Sequence, residues 1–488
     1  MGANTLPVIL LLPLLGAIGI ACTARWPNVR ETVSVLTALG LAVVVFSWFP
    51  EVSAGARPHI ILSEPLPGLT LALSLEPLGM MFACIASFLW IINTIYSIGY
   101  MRGNREKHQT RFYICFALAI AAAMGIALAD NLFTLFLFYE ILTLSTYPLV
   151  AHKGDPKTIA SARVYLGILI GTSIGLLLPA IIWTYVATGT TTFTLGGIIQ
   201  GNVPGPAVGL LLGLFVFGVG KAAIMPVHRW LPAAMVAPTP VSALLHAVAV
   251  VKAGVFCVTK IIIYIFGVDF LFSQPSAQWL QYIAAFTIIS ASVVALYQTN
   301  LKRMLAYSTI AQLSYVIMAT VILKPLAEIG AAVHIAAHAF GKITLFFAAG
   351  AIYTAAHKTE LWQLAGIGRR MPITMAAFTI GALSMIGVPP TVGFVSKWFI
   401  LAGAFQAENY LAIFTIIAST VLNAMYFLPI IYFAWLAPDA PDVDMNHGEA
   451  PPAMLLALGV TAALTIGFFF FNQPLLDLES QLVESLPL

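Results

Sequence analysis

One recurrence constrains this chain more than any other feature. Apolar stretches of about 20 residues, the length that crosses a hydrocarbon layer of about 30 Å, follow one another through the sequence. Only 8% of the residues are charged and 60% are hydrophobic, whereas a water-soluble domain carries about 25% charged residues. The expected fold class is therefore an all-α polytopic membrane protein, a single large domain embedded in the lipid bilayer. A window of about 19 residues places 14 spans, near 5–22, 32–50, 77–100, 111–129, 131–151, 163–187, 206–226, 241–266, 277–297, 304–323, 329–356, 373–405, 410–436 and 452–472. The opening stretch lacks a basic n-region and reads as a first span, not a cleaved signal.

The Lys and Arg residues segregate. Odd-numbered connections hold 15 of the 22, even-numbered connections only Arg57 and Lys324, and the remaining five lie inside spans. By the positive-inside rule the odd connections face the cytoplasm and both termini the outside of a cell membrane. Two spans are interrupted. Span 7 runs into KAAIMPVHRWLPAAMVAPTP, and span 12 carries MIGVPPTVGF near its middle. Proline removes a donor and clashes with the preceding turn, and a broken backbone at membrane depth persists only where protein or a wet cavity covers it. A pair of interrupted helices in corresponding places of two halves points to an inverted-repeat transporter. The acidic, proline-rich APDAPDVDMNHGEAPP reads as a solvated linker.

Ionisable groups at membrane depth carry the functional signal. Glu140 is the one acid read as lying mid-span, in DNLFTLFLFYEILTLSTYPLV. Five lysines are embedded with it, Lys221, Lys252, Lys260, Lys342 and Lys397, and three histidines, His246, His334 and His338. Each central charge costs about 2.5–3.5 kcal/mol to insert, a penalty that needs a partner, a wet cavity or a function. Lysine suits proton relay, because burial lowers its pKa from about 10.4 and a nearby carboxylate raises it again. A Glu140–Lys221 pair can thus act as a switch. His334, His338 and Lys342 follow i, i+4, i+8 spacing, offset by about 40° per step, and form one stripe; histidine titrates near neutral pH. His246 and Lys252, six apart, fall on nearly opposite faces of a regular helix. Lys260 lies near a span end and is expected to snorkel to the interface, so that its loss matters less than that of Lys252.

Several chemistries have no carrier here. There is no GxGxxG, no Walker loop and no CxxC set. Cys22, Cys84, Cys115 and Cys257 are scattered and read as buried packing residues. No cofactor, no metal site and no nucleic-acid partner is expected, and the chain by itself is not expected to be an enzyme. One mid-membrane carboxylate is a poor supply of oxygen ligands for sodium, which leaves protons as the expected cargo.

The segments Gly220–Gly254, LFLFYEIL, HAFGKITLFFAAG and GVPPTVGFVSKW together resemble the antiporter-like subunit superfamily. That group spans respiratory complex I, membrane-bound hydrogenases and Mrp-type multisubunit sodium/proton antiporters. The resemblance implies a proton relay of Glu140 paired with Lys221, a connecting Lys252, polar residues His334, His338 and Lys342, and a terminal Lys397. It implies two inverted five-helix repeats, near 111–266 and 277–436, between N-terminal spans in 1–100 and a C-terminal span and tail in 452–488. It further implies partner membrane subunits, with sodium exchanged for protons at the level of the complex. A lysine at 397 and the short stretch after span 14 favour the D-type subunit of an Mrp antiporter. A redox-driven proton-pumping subunit and a non-conducting scaffold stay open as alternatives. Along the chain Lys221 precedes its helix break whereas Lys397 follows Pro389 and Pro390, so the two sites need not be strict copies.

Overall fold

The computed structural model describes residues 2–438 and 447–484. Two helices open the chain, α1 (Leu6–Cys22) and α2 (Pro27–Ser53). A hairpin of β1 (His59–Leu66) and β2 (Leu69–Ser74) separates them from α3 (Pro77–Gly103), α4 (Gln109–Ala127) and α5 (Leu132–Val150). Then come α6 (Pro156–Thr188), α7 (Gly205–Gly218), α8 (Thr239–Phe266), α9 (Pro275–Leu296), α10 (Leu301–Thr320) and α11 (Pro325–Ala356). The chain ends with α12 (Pro372–Ile386), α13 (Val392–Gln406), α14 (Tyr410–Trp435), α15 (Pro452–Phe470) and α16 (Gln473–Glu484).

The helix starts have readable causes. Proline occupies the first helical position of α2, α3, α6, α11, α12 and α15, where its missing N–H would be unpaired anyway. Side-chain oxygens of Asn131, Asp155, Asn300 and Asn409 accept the first free amides of α5, α6, α10 and α14, as N-caps do. A helix stands at every stretch read as a span. Among the described residues, eleven are long and apolar enough to cross a membrane by length and composition. The other stretches hold the short α7, the α12–α13 pair, and α10, which carries Lys302, Arg303 and Gln312.

Two helices form the axis of the molecule. The most apolar windows of α8 and α11 are each 100% buried, whereas those of α1, α2, α6 and α15 are 39% buried or less. These two pack on one another; α11 also packs against α10, α12, α13 and α15, and α8 against α10 and the turn after α7. Six of the nine ionisable side chains singled out above thus sit on these two covered helices, His246, Lys252 and Lys260 on α8 and His334, His338 and Lys342 on α11.

Four features depart from the sequence reading. The β1–β2 hairpin was not anticipated, although Pro67-Gly68 between alternating apolar residues is a turn signal; Gly68 has φ +79°. The short helix α16 follows the last span and packs on α2, α3 and α11. Helix α8 is not regular: π-helical turns occupy Leu244–Val248 and Ile262–Phe266, which voids face assignments made with a period of 3.6. Cys22 is exposed, not buried. The acidic linker lies largely outside the described residues, in 439–446.

The turn after α5 joins it to α4. Arg111 Nη2 donates to the His152 carbonyl at 2.9 Å, and the imidazole packs edge-on against Phe112. Burial, with the Arg111 charge second, pushes the imidazole down to about 4, so the folded state favours the neutral ring. Its contribution is complete above the ordinary histidine value of about 6.5 and is lost as pH falls from there toward 4. In detergent, the melting temperature of the wild type is expected to fall over that window more steeply than that of His152→Gln. Equal slopes would remove His152 from the acid response.

Candidate ion-relay site

Lysine 221 stands in the break itself. Helix α7 stops at Gly218, and a single 3-10 turn, Gly220–Ala222, follows. The turn is held against α8 at Gly254, where a Cβ would come within 2.3 Å of Lys221 C and Ala222 N; only glycine permits that approach. Trp230 Nε1 closes the loop by donating to the Gly220 carbonyl at 2.9 Å. The Lys221 amine donates to the Tyr139 carbonyl at 2.9 Å and to Thr143 Oγ1, and lies 3.1 Å from the centre of the Tyr139 ring, a favourable cation–π placement. Glu140, next in sequence to Tyr139, is half-buried, and one carboxylate oxygen is buried without a hydrogen-bond partner among the described residues. Glu140 and Lys221 therefore make no ion pair here, contrary to the expected contact; the carboxylate stays within electrostatic reach of the ammonium.

A contiguous polar line runs between α8, α11 and α13. Lys252 Nζ meets His338 Nδ1 at 2.6 Å. The His338 and His334 ring centres are 6.2 Å apart, and His334 Nδ1 meets Ser396 Oγ at 2.9 Å. Ser396 directly precedes Lys397, whose amine turns back across the break to the carbonyls of Met385 and Ile386, at 3.0 and 2.8 Å. Helix α12 frees those carbonyls by ending at Gly387, which has φ +90°. Both break lysines thus place their amines on backbone or hydroxyl oxygens, Lys397 on carbonyls at its own break and Lys221 on Tyr139 and Thr143 within α5. Lys342, one turn beyond His338 on the stripe, donates to Ser308 Oγ at 2.8 Å and to the Leu305 carbonyl at 3.2 Å. The expected stripe exists, and the π-helical turn in α8 leaves His246 beside Phe346, ring centres 4.5 Å apart.

The line is not fully satisfied by protein. Both nitrogens of His246 and the Nε2 atoms of His334 and His338 are buried without a hydrogen-bond partner among the described residues. An unmet buried polar atom costs about 1–3 kcal/mol, and a hydrogen-bonded chain of water would relieve it.

Lys260 overturns an expectation. It does not snorkel: it is fully buried, with Nζ 2.9 Å from Glu76 Oε1 and donating to the Ala129 carbonyl at 2.8 Å. Glu76, Glu328 and Glu479 are buried acids that the sequence reading left at span edges or in the tail. Glu328 falls inside because α11 starts earlier than span 11, at Pro325. Tyr139, Thr143, Ser308 and Ser396 were also missed. Tyr139 and Thr143 share an i, i+4 face, and Ser396 adjoins Lys397, so polar residues beside the marked charges were the available signal.

A mostly helical, multi-pass scaffold with buried cations and imidazoles along its two covered helices defines an antiporter-like membrane protein. Over residues 129–423, more than half of its length, the sequence matches the family described as NADH:quinone oxidoreductase/Mrp antiporter, TM, and the chain belongs to that family. It is 32% identical over 420 residues to NADH-quinone oxidoreductase subunit N of Desulforudis audaxviator, covering 83% of each chain. It is 29% identical to a Na(+)/H(+) antiporter subunit of Alkalihalophilus pseudofirmus, covering 89% of this chain and 57% of that protein. Its fold matches a chain of the Mrp complex from Dietzia sp. with a TM-score of 0.87 at 21% identity, covering 99% and 97% of the two chains. The same score, at 23% identity, is found with a chain of an archaeal membrane-bound sulfane sulfur reductase.

Removing Lys260 leaves Glu76 buried beside no cation, and breaking a buried pair costs about 3–5 kcal/mol. Lys260→Ala is therefore expected to lower the amount of folded protein in the membrane, and Lys260→Ala with Glu76→Gln to recover part of it. Measured by quantitative immunoblot and thermal stability in detergent, a double variant no better than the single would dismiss the pairing.

Proposed function

We propose that this chain is the proton-translocating, D-type subunit of a multisubunit Mrp-type cation/proton antiporter in the cell membrane, moving protons while partner subunits complete sodium exchange. The observation that carries this reading is the contact line Lys252–His338–His334–Ser396, which ends beside Lys397. Each member is a group that can bind and release a proton, or, for Ser396, donate and accept hydrogen bonds at once. Lys221 with Glu140 stands at one break and Lys397 at the other, as two ends of a relay within 14 spans and inverted repeats near 111–266 and 277–436. The charge segregation puts odd connections in the cytoplasm and both termini outside.

In this reading Lys221 and Glu140 work as a separable pair. With the amine on Tyr139 and Thr143 the lysine is held apart from the carboxylate; closing the gap favours the ammonium, and opening it favours proton release. Lys252 hands protons to His338, and the stripe on α11 carries them toward Lys397.

A second reading is a redox-driven pump subunit, favoured by the 32% identity to an NADH-quinone oxidoreductase subunit. Purification in mild detergent separates the two: small membrane subunits alone support the antiporter, and flavin or iron–sulfur subunits support the pump. In inverted vesicles carrying the whole complex, Lys221→Ala and Glu140→Ala are each expected to reduce sodium-driven proton movement at least twenty-fold with the amount of assembled complex unchanged. Wild-type movement in either would remove that residue, and wild-type movement after neutralising Lys221, Lys252, Lys342 and Lys397 together would leave only a scaffold.

A further inference from the structure

The pair formed by Lys260 and Glu76 belongs to a larger buried cluster outside the relay. Tyr264, one turn along α8 from Lys260, donates to Glu76 Oε2 at 3.4 Å. Glu479 comes from α16, a 12-residue helix that is not among the apolar spans. Its side chain is 1% exposed, and neither carboxylate oxygen has a hydrogen-bond partner among the described residues. Helix α16 is fastened over this place: Arg57 Nη2 donates to Gln481 Oε1 at 3.1 Å, and Gln481 Nε2 donates to the Ser53 carbonyl at 2.5 Å. Both Glu76 and Glu479 lie outside the residues matched by the family, 129–423.

The charges do not balance without a proton. Among the buried side chains, two carboxylates and one ammonium leave a net negative charge, because Arg57 is exposed and its guanidinium donates to Gln481 and to the Val52 and Ala56 carbonyls, and burying an uncompensated charge is the costliest option open to a side chain. One proton bound to the carboxylates makes the cluster neutral. The charge that bears on Glu479 is Glu76 at the head of α3; Tyr264 lies within electrostatic reach of both carboxylates and of Arg57 after α2, and Lys260 pairs with Glu76. Beside Leu475 and Leu478 of α16 lies a cavity of about 400 Å³ whose lining on α2, α3 and α11 is apolar apart from Cys84, and includes Phe49 and Phe340. Burial first, and the Glu76 charge second, hold the Glu479 carboxyl well above the usual carboxylate range.

The cluster also reaches the surface. Lys260 donates to the carbonyl of Ala129, next to Asp130, whose carboxylate lies 3.5 Å from Nε2 of the exposed His59 on the hairpin. Toward the interior, Lys260 is eight residues from Lys252 on α8, about 12 Å along a helix axis.

We propose that Glu76, Lys260, Tyr264 and Glu479 form a second proton-binding site of the conduction path, at the hairpin end of α8, with α16 as its cover. A hydronium ion gives its proton to a carboxylate oxygen of Glu479 or Glu76, leaving water and one neutral carboxyl, and the reverse step discharges it. This inference rests on the proton-conduction reading above for its place on a path, and on the cluster's geometry for the binding site itself.

The test uses the intact complex in membranes and dicyclohexylcarbodiimide, an apolar reagent that attacks protonated carboxyls and has the apolar cavity beside Leu478 as its approach. Mass spectrometry is expected to find Glu479 modified at pH 6 and at least five-fold less modified at pH 10. Glu76→Gln should move the midpoint of that loss to lower pH by about one unit, since it removes the like charge and frees Lys260 to face Glu479. An unmodified Glu479 in the wild type, or a midpoint that Glu76→Gln does not move, overturns the site. Glu479→Gln is expected to slow sodium-driven proton movement at least five-fold with the complex present in unchanged amount, and a wild-type rate overturns its place on the path. Labelling does not depend on transport, so active Lys221→Ala would sink the conduction reading while pH-dependent labelling still upheld the site.

Discussion

An ammonium group in a bilayer must be given oxygen or nitrogen acceptors, and this constraint organises the structure. In a regular helix each interior carbonyl already accepts one backbone bond, so a lysine there takes a shared acceptor, as Lys221 does at Tyr139 and Lys342 at Leu305. The fold adds free acceptors by stopping helices. Lys397 takes carbonyls released where α12 ends, Lys221 occupies the turn where α7 ends, and Lys260 takes the carbonyl of Ala129, just past the end of α4. Interruptions and buried cations are thus two sides of one arrangement. The glycines at 254 and 387 serve it directly, one by admitting the broken backbone against α8, the other by turning the chain out of α12.

Lys252 differs from the other four embedded lysines, since its acceptor is an imidazole and not a carbonyl or hydroxyl oxygen. A lysine resting on a carbonyl has a fixed acceptor that cannot take a proton from it, whereas His338 can be donor or acceptor according to its tautomer. The centre of the molecule is therefore where a proton has a partner to move to, and the two breaks are where it is held. Resemblance in fold to chains of an Mrp complex and of a sulfane sulfur reductase shows that this scaffold occurs in complexes of quite different overall chemistry.

Much of this was legible in the sequence. The apolar runs located the eleven helices that are long and apolar enough to cross a membrane, and six of the embedded lysines and histidines marked the two helices at the centre, because burying a charge is costly enough to leave a compositional trace. The proline clusters located both breaks. What failed had a common cause: spacing arguments presume a regular helix. The π-helical turn at Leu244–Val248 altered the relation of His246 to Lys252. The early start of α11 enclosed Glu328, and Lys260 was read by its nearness to a span end when the cover over that end, the hairpin and α16, had not been foreseen. Glu76 and Glu479 are far apart in sequence, and no local pattern brings them together. The direct contact expected between Glu140 and Lys221 failed differently, since nothing in the chain said that Tyr139 and Thr143 would take the amine.

Helix α11 runs unbroken for 32 residues, about 48 Å at 1.5 Å per residue, longer than the hydrocarbon layer it is read as crossing. It carries His334, His338 and Lys342 on one hydrogen-bonded rod, so the intervals among them are as stiff as the rod. Helix α8, with its two π-helical turns, has the looser winding. The gap between Lys252 and His338 joins the stiff element to the pliant one. In mechanical terms α11 is a ruler against which the position of α8 is read, and the 2.6 Å Lys252–His338 junction is the hydrogen bond whose length reports it.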